Sequence, residues 1–437
     1  MTGSLEEPER TDTVPQTRLP LLPPLARSRV ALALTAAAAL GRFELQVCRD
    51  CGTVQYPPRE ACHRCLSATL DWKLQSGEGE LISATTLYHS HSEFFRERLP
   101  WRLGMVRLDA GPTVIAHLPG DVPAAPTRVR VGVRLDRAGL AALIAFPSEA
   151  TSTIASTTMT SIVEDKVLRE MTSDPKLRKA LVTDGKTAVG VALARACVAA
   201  GADTVWVGHA GSSKTATLEE LSGLERVTLL PLDLASSESV EKAAAEIGAQ
   251  VDIVINNAEF HGAYGVGGMH GAVGTDGVGL HGVGTARAEM DINYFGLLRL
   301  AQEFGPAMRS RVANSPSGAS AWVNLLSIYA LTSLPGHDTF CASKAAAYSL
   351  SQCLRAELQP VGIRVVNVFP GPVDAGWSQG VSLPRISPEA LARAIVKALQ
   401  DGVEDVYPGD VAAEWLARWR DNPKVLEREL AMSRSGG

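Results

Sequence analysis

Apolar and polar positions alternate regularly along the second half of the chain. Short apolar runs, the length of buried strands, are separated by longer stretches with the periodicity of amphipathic helices. The runs lie at 180–183, 204–207, 227–230, 253–256, 321–326 and 363–368. The last helix is predicted to begin after the N-cap Ser387, with Pro388 in its first turn, and to stop at Gly402. Strands that alternate with helices predict an α/β fold with a doubly wound parallel sheet.

The first third of the chain follows another pattern. An alanine- and leucine-rich run at 30–40 predicts a helix, and shorter alternating segments predict strands around 83–88, 103–108, 114–118 and 129–135. A polar stretch at 148–161 lacks periodicity, which is typical of a linker. Two domains suit a chain of 437 residues. The expected divisions are a disordered leader at 1–28, a first domain at 29–147, a linker at 148–175 and a second domain at 176–437.

Composition and charge argue against several classes of partner. Hydrophobic residues make up 46% of the chain and charged residues 20%, as in an ordinary globular protein. The formal charge of −5 argues against nucleic acid, whose phosphates select a basic surface. The apolar run at 30–40 is too short to span a bilayer and follows an acidic leader, unlike a signal peptide. We expect a cytoplasmic protein that binds neither nucleic acid nor a membrane.

Four of the seven cysteines lie close together in the first domain. Cys48 and Cys51 form one Cys-x-x-Cys pair, and Cys62 and Cys65 form a second pair after a gap of ten residues. Two such pairs can close a tetrahedral thiolate site, which suits structural zinc. Two disulfides or an iron site of the rubredoxin type are the alternatives. Four cysteine ligands would leave the metal no open position for catalysis.

The sequence around the cysteines carries further features. The leading helix and the cysteine pairs are accompanied by Pro57-Pro58-Arg59, by Leu70-Asp71-Trp72 and by Ser76-Gly77-Glu78-Gly79. With these features, residues 29–147 resemble a family of zinc-ribbon plus OB-fold proteins that accompany thiolase-like enzymes and acyl-CoA hydratases. The resemblance implies a zinc ribbon followed by an OB-fold β-barrel. It also implies a non-catalytic subunit that docks on a thiolase-fold partner and helps to hold acyl-CoA.

The second half carries a recognisable motif at its centre. The run Phe340-Cys341-Ala342-Ser343-Lys344 resembles the Tyr-x-x-x-Lys signature of the short-chain dehydrogenases/reductases, and Ser327 precedes it by thirteen residues, the family's spacing. The resemblance covers residues 178–408 and implies a Rossmann-like domain whose catalytic set includes Asn293, Ser327 and Lys344. Phe340 occupies the tyrosine position and has no hydroxyl, so it can act neither as acid nor as base. The remaining set is therefore expected to be vestigial.

The same resemblance marks a degenerate dinucleotide site. Its expected contacts come from Thr183, Gly185, Gly190, Asp233, Asn256, Pro370 and Gly371. Asp184 and Ala188 replace two glycines of the phosphate-binding loop, and Glu259 replaces a glycine that lets the chain run close under the cofactor. Asp184 would bring a carboxylate to the ligand's negative charge, although Lys186 could reach a phosphate. We predict that NAD(H) and NADP(H) bind weakly or not at all, with no preference written at Gly208 and His209.

Two other groups of residues could carry chemistry. Tyr329 is the hydroxyl nearest in sequence to Ser327, and His337 lies in the following loop, so either could replace the missing acid. An ordinary loop role is the favoured interpretation for both. His261, His270 and His281 flank or occupy a glycine-rich stretch at 262–284, but they lack the tight spacing of metal ligands.

The favoured function is that of an accessory or scaffold subunit. It would serve a thiolase-like aldolase, condensing or acyl-transfer enzyme that acts on acyl-CoA or acyl-carrier thioesters, and it would contain a catalytically silent dehydrogenase-like domain. The family's helix contacts imply an oligomer. The alternative is an NADP(H)-dependent oxidoreductase of 3-oxoacyl or 3-hydroxyacyl thioesters.

Overall fold

The computed structural model describes residues 21–25, 27–148, 165, 168–211, 215–262, 283–314 and 320–433. The first element is a short helix, α1 (Leu32–Ala39). A small antiparallel sheet follows, with strand order β2-β1-β3. Its strands are β1 (Glu44–Cys48), β2 (Val54–Gln55) and β3 (Leu70–Leu74). The turns that leave this sheet carry the two cysteine pairs, and Cys48 is the last residue of β1.

A closed barrel forms the rest of the first domain, with strand order β4-β5-β6-β8-β7. The strands are β4 (Glu78–Leu87), β5 (Trp101–Leu108), β6 (Thr113–His117), β7 (Thr127–Leu135) and β8 (Ala141–Pro147). Alternate residues of β7 are buried, which is the period of two that a one-sided strand requires. A short helix, α2 (Glu93–Arg96), packs Phe94 against Trp101 of β5.

The second domain is built on a parallel sheet of seven strands in the order β11-β10-β9-β12-β13-β14-β15. The strands are β9 (Lys179–Val182), β10 (Thr204–His209), β11 (Val227–Pro231), β12 (Ile253–Asn256), β13 (Ala321–Leu325), β14 (Arg364–Val368) and β15 (Asp405–Val406). The winding direction reverses between β9 and β12. In such sheets ligands bind at the carboxyl ends of the strands beside that reversal.

Helices cover both faces of this sheet and enclose two apolar cores. They are α3 (Ala188–Ala199), α4 (Ala216–Ser222), α5 (Ser237–Ile247), α6 (Val283–Met290), α7 (Gly296–Asn314), α8 (Asp338–Leu358), α9 (Pro388–Asp401), α10 (Asp410–Asp421) and α11 (Pro423–Ser433). Shorter helical turns lie at Leu168–Met171, Asp291–Phe295, Ile328–Ala330, Gln359–Val361 and Gly376–Gly380. Within the described ranges, no helix combines the length and the apolarity needed to cross a bilayer.

The predicted fold class is confirmed, and each of the six apolar runs of the second half forms a strand within two residues of its predicted ends. In the first domain, the strand expected around 83–88 begins five residues earlier, at Glu78. The prediction that α9 is the last helix is wrong, because α10 and α11 follow it. Trp415, Leu426 and Leu430 of these helices are buried in a cluster that also contains Phe340. The expected linker ends in a packed turn, since Leu168 is buried against the barrel. Leu21, inside the predicted leader, packs against the same cluster.

Polar contacts join the two domains. Arg364 of β14 donates hydrogen bonds from Nη2 to the carbonyl oxygen of Leu135 (2.9 Å) and from Nη1 to Ser173 Oγ (3.2 Å). Arg134 at the end of β7 pairs with Asp401 of α9 at 3.2 Å. Because the Arg364 side chain is buried, its loss would leave interior acceptors without partners.

We expect Arg364→Met to lower the free energy of unfolding by about 2–4 kcal/mol, because two hydrogen bonds from a buried guanidinium are lost. Urea unfolding followed by tryptophan fluorescence measures the change. Arg128→Met is the control, since Arg128 forms an exposed ion pair with Asp109. Equal stability of the two variants would show that the contact between the domains contributes little.

Candidate functional site

The four cysteines of the first domain converge on one point. Their Sγ atoms all lie within 4.8 Å of one another, and the closest pairs are Cys48–Cys65 at 3.5 Å and Cys51–Cys62 at 3.6 Å. Sulfur atoms on a tetrahedral zinc, bonded at about 2.3 Å, are about 3.8 Å apart. The geometry therefore fits a four-coordinate metal, and the separations are far too long for disulfides.

Each pair is presented by the same kind of turn. The amide of Gly52 donates to the Cys48 carbonyl and the amide of Leu66 donates to the Cys62 carbonyl, both at 2.9 Å. Gly52 and Leu66 both have positive φ, at +71° and +63°. Glycine adopts this conformation freely, whereas Leu66 adopts it against its side-chain preference. The two turns are thus equivalent, as the repeated Cys-x-x-Cys spacing indicates.

The centre of the second site is an ion pair at the carboxyl end of the parallel sheet. Lys344 lies in α8, one helical turn after Phe340, and is only 2% exposed. Its Nζ donates to the carbonyl oxygen of Leu325 at 3.1 Å and lies 3.0 Å from Glu259 Oε2. The ammonium also lies 5.4 Å from the centre of the Phe340 ring. Glu259 is thus the residue that neutralises the buried lysine.

The other oxygen of Glu259 is held from the opposite side. Trp377 Nε1, in the turn Gly376–Gly380, donates to Glu259 Oε1 at 3.1 Å. The Trp377 ring stacks on His261 with 4.0 Å between ring centres and packs edge to face on Phe340 at 5.0 Å. Lys344, Glu259 and Trp377 therefore form a chain of contacts, here called the Glu259 clasp.

Asn293 acts as a brace in this structure. It lies in the π-helical turn Asp291–Phe295, and its Oδ1 accepts from the Phe260 amide at 2.9 Å. Its Nδ2 donates to the Phe260 carbonyl at 2.9 Å and to Ser343 Oγ at 2.8 Å. Both amide hydrogens are thereby used, so Asn293 ties the chain after β12 to α8.

Ser327 is turned toward the backbone. Its Oγ accepts from the Tyr329 amide at 3.2 Å and lies 3.5 Å from the Pro370 carbonyl, which it can reach only weakly as a donor. Ser327 and Phe340 line the same cavity, whereas Lys344 is not part of that lining and contacts Glu259 instead. The hydroxyl that would connect them is missing.

The two candidate replacements for that hydroxyl are placed differently. Burial raises the pKa of Tyr329, and its Oη has no hydrogen-bond partner in the described part of the chain. His337 Nδ1 shares a hydrogen bond of 2.8 Å with His261 Nε2. Burial, and then the neighbouring His337, lowers the pKa of His261 to about 4, so His261 is neutral at pH 7. A proton donor for catalysis needs a pKa near the working pH, which Tyr329 lacks.

The loop between β9 and α3 keeps two glycines for packing reasons. A Cβ on Gly185 would lie 2.2 Å from Val207 Cγ1, and one on Gly190 would lie 1.8 Å from the Asp184 carbonyl oxygen. The Asp184 carboxylate accepts from the Lys186 amide at 2.9 Å, and burial raises its pKa. Asp184 does not line the neighbouring cavity, so its expected approach to a ligand is not what the structure shows.

A cavity of about 490 Å³ remains at this edge of the sheet. Its described lining runs from Lys186 and Ala188 past Glu259 to Tyr329 and Trp377, and includes Pro370 and Gly371. The other five positions expected for a dinucleotide do not line it: Thr183, Gly185, Gly190, Asp233 and Asn256. Thr183 and Asn256 share a hydrogen bond of 3.3 Å beneath the loop, and Asp233 Oδ1 accepts from the Ala235 amide at 2.9 Å.

Of the three histidines considered as metal ligands, the structure describes one. His261 belongs to the aromatic wall of the cavity, whereas His270 and His281 lie outside the described residues. In the described ranges, the four cysteines are the group whose geometry could hold a metal ion. Sequence reasoning missed Trp377 and the pairing of Glu259 with Lys344. The signal was present in Glu259, because a carboxylate at a glycine position needs a counter-charge.

Comparison with known proteins assigns each part of this arrangement. Residues 35–71 match the model of the ChsH2 rubredoxin-like zinc ribbon domain, 72–139 match the ChsH2 C-terminal OB-fold domain, and 178–384 match the short chain dehydrogenase model. A 1-deoxy-11-beta-hydroxypentalenate dehydrogenase of Streptomyces avermitilis is 30% identical over 235 residues, which are 50% of this chain and 80% of that protein. The chain belongs to the short-chain dehydrogenase family. A ChsH2-type zinc ribbon and OB-fold precede its dehydrogenase domain.

Other relatives match the same dehydrogenase domain of the chain. The short-chain dehydrogenase PC-15 of Penicillium crustosum is 36% identical over 173 residues, 38% of this chain and 55% of that protein. The chain thus spans just over half the length of that curated relative. A short-chain dehydrogenase of Burkholderia cenocepacia, solved in complex with NADP, is 32% identical with a TM-score of 0.51. That comparison covers 59% of this chain and 98% of the Burkholderia chain.

We expect one zinc ion per chain, bound by Cys48, Cys51, Cys62 and Cys65. Cys48→Ser should lose the metal and unfold the zinc ribbon, because metal binding supplies much of the folding free energy of such a small unit. Elemental analysis and limited proteolysis measure the two effects. Cys353→Ser, at an exposed position of α8, is the matched control and should keep a full complement of zinc. A folded ribbon without zinc or iron would refute the assignment.

A second prediction concerns the Glu259 clasp in this family member. Glu259→Gln keeps an acceptor for Trp377 but removes the charge that neutralises Lys344, so the free energy of unfolding should fall by about 1–3 kcal/mol at pH 7. Glu238→Gln, which breaks an exposed pair with Lys242, should change stability little. Differential scanning calorimetry compares them. A wild-type melting temperature for Glu259→Gln would mean that Lys344 does not depend on Glu259.

Proposed function

We propose that this protein is an accessory subunit whose dehydrogenase domain is catalytically silent. The observation that carries the proposal is the Glu259 clasp. In it, the carboxylate of Glu259 forms an ion pair with Lys344, and phenylalanine stands at the tyrosine position beside them. Loss of a positioned acid or base typically costs about 10²–10⁴-fold in rate. The vestigial set of Asn293, Ser327 and Lys344 thus keeps the architecture of the site without its proton donor.

The clasp also opposes a dinucleotide. Glu259 lines the cavity with a carboxylate, and a bound cofactor would bring further negative charge to it. Displacing Glu259 would leave the buried ammonium of Lys344 without its partner, which is costly unless the ligand supplies a replacement. The methyl group of Ala188 narrows the same cavity at the helix terminus. We therefore infer that NAD(H) and NADP(H) bind weakly or not at all.

The first domain indicates which kind of partner the accessory subunit would serve. Four thiolates leave a zinc ion no open position, so the ribbon contributes structure and not chemistry. Its ChsH2-type domains support a thiolase-like partner that acts on an acyl-CoA or acyl-carrier thioester. In this proposal residues 29–147 dock on the partner, and residues 176–437 form the scaffold and its oligomer contacts. A reducing cytoplasm would keep the ligating cysteines as free thiols.

A second function is favoured by one observation. The cavity persists at the position where doubly wound sheets bind ligands, and the 32% identical Burkholderia relative was solved with NADP. An NADP(H)-dependent oxidoreductase of 3-oxoacyl or 3-hydroxyacyl thioesters would use this cavity. It would need a proton donor other than Phe340.

The partner is tested by co-expression of the full chain with thiolase-like proteins encoded beside its gene. We expect one of them to co-elute with the chain in size-exclusion chromatography. Cys48→Ser should abolish the complex, whereas Cys353→Ser should preserve it, because docking depends on a folded zinc ribbon. A complex that survives loss of the ribbon would assign the contact to the dehydrogenase domain. Absence of any complex would count against the accessory role.

The silent domain is tested by restoring its missing group. Phe340 lines the cavity but is only 1% exposed, so circular dichroism first checks that the Phe340→Tyr variant folds. We expect no detectable reduction of 3-oxoacyl thioesters under saturating NADPH, because Glu259 still occupies Lys344. Adding Glu259→Gly should be required before turnover rises. Phe95→Tyr, in helix α2 of the first domain, is the control. Robust turnover by the wild type would establish the oxidoreductase and refute silence.

A further inference from the structure

A small cavity of about 40 Å³ lies where the first domain meets the dehydrogenase domain. Its walls come from the turn after β7, from the connection that precedes β9 and from the beginning of β14, and it shares no lining residue with the cavity beside the Glu259 clasp. We propose that it binds a tetrahedral oxyanion, inorganic phosphate or sulfate, between the guanidinium groups of Arg178 and Arg364. The site is separate from the dehydrogenase cavity, so it does not depend on the proposed silence of that domain.

Positive charge predominates in the lining of this cavity. Four arginines and two carboxylates contribute to it, namely Arg137, Arg178, Arg355, Arg364, Asp136 and Glu404. Arg355 already has counter-charges, because its Nη2 lies 2.7 Å from Asp405 Oδ1 and its Nε lies 3.8 Å from Glu404 Oε2. The Asp136 carboxylate is bound to its own turn and accepts from the Ala138 amide at 2.8 Å. The two carboxylates of the lining are therefore engaged by other groups.

Arg178 is buried at the cavity without an ion-pair partner. It is 7% exposed, and its one hydrogen bond to the described residues runs from Nη1 to the Thr172 carbonyl oxygen at 3.2 Å. A guanidinium has five N–H donors, so most of its hydrogen-bonding capacity is unused. Burial, and then the nearby Arg169, lowers the pKa of Arg178 to about 10. A counter-charge in the cavity would relieve this burial of an unpaired cation.

The carboxylates that attract Arg178 from a distance are committed elsewhere. Asp174 Oδ1 accepts from the Lys176 amide at 2.8 Å. Asp252 forms an ion pair with Arg311 at 2.7 Å. Neither carboxylate forms an ion pair with Arg178, so the protein itself leaves this guanidinium without a partner among the described residues.

Arg364 is in the same condition on the other side of the cavity lining. It is 9% exposed, and its acceptors, Ser173 Oγ and the Leu135 carbonyl oxygen, carry no formal charge. Burial lowers its pKa, and Arg364 in turn contributes to the lowered pKa of Arg178, which places the two positive charges within range of each other. One anion between them would neutralise both.

The chemistry of the two side chains selects the kind of anion. A planar guanidinium offers parallel N–H donors that match two oxygens of one phosphate or sulfate, whereas chloride offers a single acceptor. The volume exceeds the roughly 10–15 Å³ that one water molecule needs, yet it is far below the roughly 300–1,000 Å³ of pockets for organic ligands. An inorganic oxyanion fits both limits. Because Arg364 already binds a carbonyl of the first domain, the anion would also strengthen the contact between the domains.

Calorimetric titration of the full chain with sodium phosphate tests the proposal, with sodium chloride at matched ionic strength as the comparison. We expect one phosphate per chain and a higher melting temperature in phosphate than in chloride, because a ligand of the folded state stabilises it. Arg178→Lys keeps the charge but loses the paired donors, so it should weaken phosphate binding by about tenfold. Arg195→Lys, which alters an exposed pair with Glu220, is the matched control and should bind as the wild type does.

A measurement on the wild type does not depend on how the variants fold. Selenate is a tetrahedral analogue of sulfate, and its anomalous scattering in crystals of the full chain should give one peak between the guanidinium groups of Arg178 and Arg364. Three results would overturn the proposal. They are no phosphate binding, equal stabilisation by chloride and phosphate at the same ionic strength, and a selenate peak that is absent from this cavity. Phosphate binding that a folded Arg178→Lys variant leaves unchanged would also refute it, since the anion would then lie elsewhere.

Discussion

The site in the second domain depends on the buried ammonium of Lys344 and its need for a counter-charge. A lysine that is 2% exposed is unstable in the interior unless a carboxylate or several acceptors surround it. Glu259 provides that carboxylate at 3.0 Å, and Trp377 holds the same group from the other side. The residue that stabilises the fold at this point is therefore also the residue that pairs with Lys344. Under the proposed function, the same ion pair would account both for stability and for the silence of the domain.

In both domains, side chains of types that often carry chemistry are engaged in structural contacts. In the first domain, four cysteines are arranged for a metal that is fully coordinated by protein. In the second, Asn293 spends its amide hydrogens on bracing the chain after β12 against α8. Arg364 links the sheet to the barrel through a backbone carbonyl of the first domain. These polar groups thus hold segments of the chain together.

Much of the fold could be predicted from the sequence because its strands are buried on both faces. Runs such as 253–255 are apolar throughout, and helices such as α9 have clear caps. The cysteine cluster could be predicted because its ligands are close in sequence. The Glu259 clasp could not be predicted in this way, because Glu259, Lys344 and Trp377 are far apart along the chain. They meet only when the parallel sheet and its helices assemble. The direction of the Asp184 carboxylate was also hidden, because a local hydrogen bond to the Lys186 amide decides it.

The most direct test of the central claim is the affinity of the full chain for NADPH, measured by calorimetry for the wild type and for Glu259→Gly. If the carboxylate of Glu259 occupies Lys344 and opposes the cofactor, the wild type should give no measurable heat. Glu259→Gly should then bind at least about tenfold more tightly, because a like charge is removed and the lysine is released. Low-micromolar binding by the wild type, unchanged in Glu259→Gly, would contradict the account.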